Sequence, residues 1–258
     1  MKVVILCGGL GTRLREETEY RPKPMVPVGG RPILWHIMKY YATHGHNEFI
    51  LCLGYKGEVI RDYFRNYLWN TSDITLKLGR NPQITYHNNH DEADWTVTLL
   101  ETGAETQTGG RLRRALAHVE DSTFLFTYGD GVTNSDINGS IEFHKSHGAI
   151  ATVTAVKPSG RFGELAMDGK TITAFREKPE QESAYISGGY MVLDRRIEKY
   201  LDPSDSCVFE KAPIERLAAD GQLKAWCHEG YWQCMDTYRE QQLLEREWNS
   251  GKAPWRIW

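Results

Sequence analysis

A glycine-rich turn directly follows an apolar run near the start of the chain. The turn consists of Leu6, Cys7, Gly8, Gly9, Leu10, Gly11, Thr12 and Arg13. Glycine has no Cβ atom, so the backbone N–H groups of such a turn can approach a phosphate chain closely. Arg13 ends the turn and Lys23 follows ten residues later, which brings two cations to the same place. The pattern predicts a nucleoside triphosphate site.

The two cationic residues suit different parts of a triphosphate. The planar guanidinium of Arg13 can bind the β- and γ-phosphates through paired hydrogen bonds. Lys23 lies in a stretch stiffened by Pro22, Pro24 and Pro27, which lowers the entropy lost when its ammonium is held near the α-phosphate. Ordinary surface charge is the alternative for each residue alone, but the adjacent glycines favour the catalytic interpretation.

Two other glycine motifs bind nucleotides, and neither fits this chain. A P-loop requires Gly-x4-Gly-Lys-Ser/Thr, which the sequence lacks. The dinucleotide motif Gly-x-Gly-x-x-Gly begins correctly at Gly9, but Leu14 replaces its third glycine. A nicotinamide-dependent sugar oxidoreductase is therefore the disfavoured alternative, and a cofactor-absorbance assay would test it.

Asp130 directly follows Thr123–Tyr128, a nearly continuous apolar run that predicts a strand covered on both faces. A carboxylate there is costly unless it caps a helix or binds a cation, and we favour a cation. Asp236 precedes a predicted helix that starts near Tyr238, and its position alone favours a cap. Magnesium prefers oxygen ligands and commonly takes one or two carboxylates together with substrate phosphates.

Strand-like and helix-like segments alternate along the chain, which predicts an α/β fold with a mixed, mostly parallel sheet flanked by helices. Ligands of such sheets bind beyond the carboxyl ends of the strands. The predicted strands are Lys2–Cys7, Glu48–Leu53, Thr123–Tyr128, Ala149–Val156, Thr171–Phe175 and Tyr190–Leu193. Helices are predicted from Pro32 to Gly45, through Val59–Leu68, at Leu112–His118, at Phe209–Ala219 with a kink or late start at Pro213, and at Tyr238–Trp248.

Composition is that of a soluble enzyme with one core. The chain has 258 residues, of which 40% are hydrophobic and 25% charged, and its net charge is −3. That charge gives no general attraction to nucleic acid or to an anionic membrane, and no run approaches the ~20 apolar residues of a membrane span. Five cysteines without a C-x-x-C pair argue against disulfides and structural zinc. We expect a cytoplasmic protein without nucleic-acid or membrane partners.

The sequence G-G-x-G-T-R followed by K-P resembles the sugar-phosphate nucleotidyltransferase family, and the resemblance covers nearly the whole chain. It implies a Rossmann-like, nucleotide-diphospho-sugar transferase type of fold with a smaller sugar-binding and C-terminal portion. Further matching segments follow in the family's order: Gly29–Met38, Thr108–Arg111, Phe124–Gly131, Gly160–Gly163, Glu177–Pro179, Ser187–Tyr190 and Tyr231–Thr237.

The resemblance is strongest to the branch that transfers a cytidylyl group from CTP to glucose 1-phosphate. It implies a Mg²⁺-dependent, in-line displacement that gives CDP-glucose and pyrophosphate, and a role in supplying dideoxysugars for the O-antigen of bacterial surface polysaccharide. The same chemistry with dTTP or UTP remains an alternative. A regulator that binds nucleotide sugars without turnover is the alternative of another class. Close family members are homo-oligomers, which implies a homo-oligomer here, with a hexamer as the expected state.

The resemblance also assigns roles to residues. Arg13 and Lys23 are catalytic, and Asp130 and Asp236 bind the metal. Besides the glycine-rich turn and Lys23, the nucleotide-binding residues are Thr108, Gly109, Gly110, Arg111 and Gly129. The residues for the sugar phosphate are Arg161, Glu177, Lys178, Gly188 and Gly189.

We expect a single domain over residues 1–258, with a nucleotide-binding half (1–135), a sugar-phosphate half (136–240) and a C-terminal tail (241–258). The segment 69–95 is long, polar and weakly periodic, which is typical of a functional loop or an intersubunit contact. We favour the contact. The C-terminal tryptophans Trp248, Trp255 and Trp258 are expected to pack against the body or a neighbouring subunit rather than to stack on bases.

Overall fold

The structure, a computed structural model, describes residues 1–87, 90–158, 164–168, 171–176 and 184–258. The strands are β1 (Lys2–Leu6), β2 (Pro27–Val28), β3 (Arg31–Pro32), β4 (Glu48–Leu53), β5 (Ile74–Lys77), β6 (Gln83–Tyr86), β7 (Thr96–Glu101), β8 (Thr123–Tyr128), β9 (Gly131–Thr133), β10 (Ala151–Val156), β11 (Glu164–Asp168), β12 (Thr171–Arg176), β13 (Ile186–Asp194), β14 (Leu223–His228) and β15 (Trp232–Cys234).

Helices connect most of these strands. They are α1 (Arg15–Thr18), α2 (Ile33–Thr43), α3 (Gly57–Arg65), α4 (Tyr67–Thr71), α5 (Thr108–Ala115), α6 (Ile137–His147), α7 (Ala212–Ala219) and α8 (Tyr238–Asn249), with 3₁₀ helices at Lys23–Met25, Leu116–His118 and Arg195–Tyr200. In the described parts of the chain, no helix is both long and apolar enough to cross a membrane.

A seven-stranded central sheet has the order β14-β10-β13-β8-β1-β4-β7. All neighbouring pairs are parallel except the two that involve β13, which runs antiparallel to both β10 and β8. The predicted mixed, mostly parallel α/β sheet is thereby confirmed. Because β10, β13 and β14 come from the second half of the chain, both predicted halves contribute to the same sheet.

The middle strands are apolar on both faces because helices cover both sides of the sheet. Val3, Val4 and Ile5 of β1 are fully buried, and so is the centre of β8. Side chains alternate between two cores. The first core contains α2 and the C-terminal aromatics, and the second contains α5, α7 and the 3₁₀ helix that begins at Arg195. This covering fixes the strand ends from which the site is built.

Several helix boundaries differ from those predicted. Pro32 is the N-cap of α2 rather than its first residue, and the helix predicted through Val59–Leu68 is interrupted at Asn66. Helix α5 begins earlier than predicted, at Thr108. Helix α7 begins only at Ala212, so Pro213 occupies its first turn, where a missing N–H costs nothing. The late start rather than the kink is therefore correct.

The segment 69–95 contains an exposed hairpin in which β5 and β6 form a separate two-stranded antiparallel sheet. A buried ion pair between Lys39 of α2 and Glu92 connects the segment to the body, with Nζ and Oε1 at 3.1 Å. Trp95 packs on Phe49 of β4 with a ring-centre distance of 5.3 Å. The hairpin thus projects from a firmly attached base.

The C-terminal residues pack on the body, which is one of the two predicted possibilities. Trp255 is buried beside Tyr231 and Trp248. Its indole N–H donates to Nδ1 of His36 at 3.4 Å, and Nε2 of His36 contacts the Val28 carbonyl at 2.8 Å. The predicted boundary between residues 240 and 241 falls inside α8.

Candidate active site at the carboxyl edge of the sheet

A cleft of about 420 Å³ opens where strands β1 and β8 end. From β1 the chain proceeds to β4 and β7 on one side, whereas β8 lies on the other side, so the strand order reverses between β1 and β8. At such a reversal the loops after neighbouring strands separate and leave a crevice, which is the usual ligand site of open α/β sheets. Most predicted nucleotide and metal residues line this cleft: Leu6, Gly8, Gly9, Leu10, Gly11, Thr12, Arg13, Lys23, Thr108, Arg111, Gly129, Asp130 and Asp236.

The glycine-rich turn is held from below by Arg111. The buried guanidinium donates to the carbonyls of Gly8, Leu53 and Ala104 and to the Thr102 hydroxyl, at 2.7–3.2 Å. A Cβ atom at Gly8 would lie 2.2 Å from Nη1 of Arg111, so a larger residue there would displace the guanidinium. Burial lowers the pKa of Arg111 from its ordinary value. Arg111 therefore connects the loops that follow β1, β4 and β7.

Gly9 leaves one side of the turn open, whereas a Cβ at Gly11 would lie 2.8 Å from Cγ2 of Thr18. No atom lies within 4 Å of a Cβ placed on Gly9, and Gly11 has φ of +61°, a conformation that favours glycine. Leu10, between them, is exposed. The backbone of the turn is thus accessible from the cleft, as the approach of a phosphate chain requires.

Four charged side chains meet beside the turn. Nζ of Lys23 lies 2.8 Å from Oδ2 of Asp130 and 2.5 Å from Oδ1 of Asp236. Nη1 of Arg13 lies 2.9 Å from the other carboxylate oxygen of Asp236. The structure therefore brings together the two predicted cations and the two predicted metal ligands, although 107 residues separate Lys23 from Asp130 and 213 separate it from Asp236.

Burial and charge oppose each other at Lys23. Only 12% of its side chain is exposed, whereas Arg13 is 75% exposed. Burial lowers the pKa of Lys23, but Asp130 and Asp236 raise the pKa by more, so it lies above its ordinary value. Lys23 is consequently a fixed ammonium at neutral pH. Arg13 can move with a ligand because water surrounds most of it.

Neither aspartate caps a helix. Thr237 is the N-cap of α8, and it forms a capping box in which Glu240 accepts from the backbone of Thr237. The same Glu240 carboxylate accepts from the Asp236 N–H at 2.7 Å, which fixes the residue that points into the cleft. Asp130 lies in the turn between β8 and β9. Neither carboxylate is used as a helix cap, and both contact the Lys23 ammonium.

The carboxylates fit a magnesium ion that is also bound by phosphate. Among the residues described, no group of three or more His, Cys, Asp and Glu side chains is arranged to hold a metal ion. Magnesium needs fewer protein ligands than that, because it keeps waters and takes substrate phosphate oxygens. Asp130 and Asp236 supply two hard oxygen donors beside the phosphate-binding turn, which is the donor set that this ion prefers.

Some predicted residues lie outside the cleft. The Cys7 side chain is buried in the core, where desolvation raises the pKa of its thiol. Gly109 and Gly110 pack against the segment 205–207: a Cβ at Gly109 would lie 2.5 Å from Sγ of Cys207. Packing against that segment therefore explains why both positions are glycine.

The predicted sugar side is only partly described. Arg161, Glu177 and Lys178 lie outside the described residues. Gly188 and Gly189 belong to β13, adjacent to the cleft. The Gly188 carbonyl accepts from Nε1 of Trp232 at 2.7 Å. Gly189 has φ of +80°, and a Cβ there would lie 2.9 Å from the ring of Tyr128.

Sequence reasoning missed part of the cleft wall. Tyr128, Pro24 and the loop Ala104–Gln107 line the cleft although none of them was assigned to the site from the sequence. Tyr128 ends a strand that was predicted, and its place just before Gly129 was the available signal. The loop follows β7, whose alternating threonines at Thr96 and Thr98 were the signal for a further parallel strand.

Comparison with known proteins agrees with this geometry. The family model described as Nucleotidyl transferase matches residues 2–245. The chain is 49% identical over 259 residues to the glucose-1-phosphate cytidylyltransferase of Salmonella typhi, and 42% identical over 258 residues to the probable glucose-1-phosphate cytidylyltransferase of Bacillus subtilis. Both alignments cover 100% of each chain. The crystal structure of HddC from Yersinia pseudotuberculosis superposes with a TM-score of 0.69 at 26% identity, covering 96% of this chain and 99% of that one.

Proposed function

Because the chain belongs to the nucleotidyl transferase family, we propose that it transfers a cytidylyl group from CTP to α-D-glucose 1-phosphate, giving CDP-glucose and pyrophosphate. The observation that carries the proposal is the 49% identity, over the whole of both chains, to a glucose-1-phosphate cytidylyltransferase. The cleft supports it, since cations and acidic residues meet beside a turn that is open to phosphate.

The reaction needs no general base. A phosphate oxygen of glucose 1-phosphate attacks the α-phosphorus of CTP, the bond between the α-phosphorus and the bridging oxygen breaks, and pyrophosphate leaves with that oxygen. The attacking oxygen is already ionised at neutral pH. Catalysis therefore consists of aligning two polyanions and neutralising the negative charges by which they repel each other.

The buried Lys23 and the exposed Arg13 neutralise different phosphates of CTP. Lys23, held between two carboxylates, stabilises charge at the α-phosphate without reorganising during the reaction. Arg13 binds the β- and γ-phosphates and then the leaving pyrophosphate through its planar fork. The N–H groups around Gly9 and Gly11 bind the same phosphates.

The proposed cofactor is Mg²⁺, held by Asp130 and Asp236. When bound, it neutralises phosphate charge and polarises the α-phosphate toward attack. The two carboxylates that now contact Lys23 also orient its ammonium toward the cleft. Excess EDTA should abolish turnover, and added Mg²⁺ should restore it; turnover that survives chelation would contradict this assignment.

Residues on the hexose side complete the proposal. Lys178 binds the phosphate of glucose 1-phosphate, and Glu177 contacts hexose hydroxyls. Arg161, Gly188 and Gly189 line the same pocket. The position of Gly189 against Tyr128, a cleft residue, supports a hexose site that adjoins the nucleotide site.

Pyrophosphate release tests the function directly. The protein is incubated with Mg²⁺, glucose 1-phosphate and, separately, CTP, UTP, ATP, GTP or dTTP. Efficient release with CTP alone is the expected result. Preference for dTTP or UTP would replace the base assignment and keep the reaction class, whereas no release with any nucleotide would indicate the non-catalytic regulator. Omitting glucose 1-phosphate is the control for simple hydrolysis.

The protein is proposed to be a homo-oligomer that acts in the cytoplasm. The homo-oligomer, a hexamer by family resemblance, forms through the segment 69–95, where the hairpin exposes Leu76, Leu78 and Ile84. The protein acts in the cytoplasm without nucleic-acid or membrane partners. Its product supplies activated glucose for dideoxysugars of the bacterial O-antigen.

A further inference from the structure

The segment 205–210, which lies between the last 3₁₀ helix and α7, holds the start of helix α5 in place. The Gln107 N–H donates to the Asp205 carbonyl at 2.8 Å, and the Gly109 N–H donates to the Cys207 carbonyl at 2.9 Å. In return, the Phe209 N–H donates to Oγ1 of Thr108 at 2.9 Å. These three bonds bind one short segment to three consecutive residues, of which Gln107 and Thr108 line the cleft.

Glu210 ends this segment and contacts two walls of the cleft at once. One carboxylate oxygen accepts from the Thr108 hydroxyl at 2.6 Å, and the other accepts from the Tyr128 hydroxyl. Thr108 and Tyr128 line the cleft, whereas Glu210 does not. Thr108 belongs to α5 and Tyr128 to β8, so the carboxylate bridges the elements on either side of the nucleotide site.

Tyr128 continues the contact toward the hexose side. Its ring packs on Phe126 with a centre distance of 5.5 Å, and it also lies beside Gly189, where a Cβ would lie 2.9 Å from the ring. A tyrosine packed in this way can rotate little, and its hydroxyl fixes the remaining freedom by bonding to Glu210. The position of one carboxylate therefore determines the position of a ring between the two proposed substrate sites.

We propose that Glu210 is a positioning residue that holds Thr108 and Tyr128 at a fixed separation and so sets the width of the nucleotide cleft. The role deepens the proposed function and rests on it. Hydrogen bonds to a charged group are the stronger ones, although the exposure of Glu210 reduces their strength. Loss of both bonds should widen the cleft and weaken nucleotide binding without touching Lys23 or the aspartates.

The test is a double-mutant cycle with Glu210→Ala and Tyr128→Phe. Glu210→Ala should raise KM for CTP about tenfold, which is equivalent to about 1.4 kcal/mol. Its kcat should stay within about threefold of that of the parent protein. Tyr128→Phe, which removes only the hydroxyl, should raise KM less. The double variant should resemble Glu210→Ala, since each change removes the same bond. Fully additive effects on KM, or an unchanged KM in Glu210→Ala, would overturn the proposal.

Two further variants separate positioning from general stability. Glu210→Gln keeps one acceptor oxygen in nearly the same shape, so its KM should lie between those of the parent and Glu210→Ala. Glu215→Ala, an exposed glutamate three residues into α7 with no part in the cleft, should leave KM unchanged. If Glu215→Ala raised KM as much as Glu210→Ala, the effect would be structural and the proposal wrong.

Calorimetric binding of CTP with Mg²⁺ distinguishes failure of this proposal from failure of the proposed function. A parent protein that binds CTP but makes no CDP-glucose refutes the function, and the binding cycle then still decides the role of Glu210. Weaker binding by Glu210→Ala supports that role. Equal binding by both proteins refutes it.

Discussion

Lys23 shows how one residue depends on distant ones. Its ammonium is nearly buried, and it is tolerated there because Asp130 and Asp236 approach it from two other parts of the chain. We expect Lys23→Ala to lower kcat about 10²- to 10³-fold, since a preorganised donor at developing charge commonly contributes that much. Steady-state pyrophosphate release measures it, with circular dichroism as the folding control.

Lys23→Arg provides the matched control for charge alone. It preserves the cation but changes the length and shape of the donor, so it should recover only part of the loss. A Lys23→Ala protein that keeps more than about a tenth of the parent kcat would contradict the catalytic role of Lys23.

At the scale of elements, the start of helix α8 connects local stability to the site. The capping box of Thr237 and Glu240 also fixes the backbone N–H of Asp236. Thr237→Ala should lower the free energy of unfolding by about 1 kcal/mol and reduce kcat/KM several-fold. Thr237→Ser keeps the hydroxyl and should change neither quantity. Urea unfolding measures the stability and steady-state kinetics measure kcat/KM; an unchanged kcat/KM in Thr237→Ala would show that the cap does not position Asp236 for the reaction.

Helix α2 carries a buried neutral histidine, His36, whose pKa is lowered to about 4, chiefly by burial. The indole of Trp255 donates to its Nδ1, so its Nε2 carries the proton donated to Val28. Because the unfolded histidine titrates near 6.5, protons favour unfolding between about pH 6.5 and 4. The contribution of His36 to stability should fall by up to about 3 kcal/mol across that window and be constant above it.

His36→Gln isolates this contribution from the other histidines, since it keeps a polar side chain that does not titrate. The difference in urea midpoint between parent and variant should shrink as the pH falls from 7 toward 4. A difference that stays constant with pH would mean that folding leaves the pKa of His36 unchanged, which would contradict this account.

At the scale of the whole molecule, the β5–β6 hairpin exposes apolar side chains outside the central sheet. Leu78 is 87% exposed. If the hairpin forms the proposed subunit contact, Leu78→Glu with Ile84→Glu should lower the mass measured by light scattering, because charge is costly in a desolvated interface. Ile257→Glu, an exposed apolar residue at the C-terminus, is the control. A parent monomer, or an unchanged oligomer in the double variant, would contradict the contact.

The assembly of the whole sheet also decides which parts of the fold and the site could be predicted from the sequence. The glycine-rich turn, the buried strands and Asp130 follow local rules of pattern and burial, and so did the mixed sheet. The bridges made by Arg111 and Glu210 could not be predicted, because each connects loops that become neighbours only when the sheet is assembled. The packing of Gly109 on Cys207 could not be predicted from the sequence for the same reason. Local signals locate strand ends, and the strand order decides which ends meet.

The central claim is that Lys23 and two aspartates join CTP to glucose 1-phosphate at the glycine-rich turn. Phosphorus NMR of the complete reaction follows the α-phosphorus of CTP directly. We predict that its signal converts to the diphosphate of CDP-glucose, with one pyrophosphate per product, in the parent protein and not in Lys23→Ala or under EDTA. Conversion to CMP instead, or undiminished CDP-glucose formation by Lys23→Ala, would contradict the account.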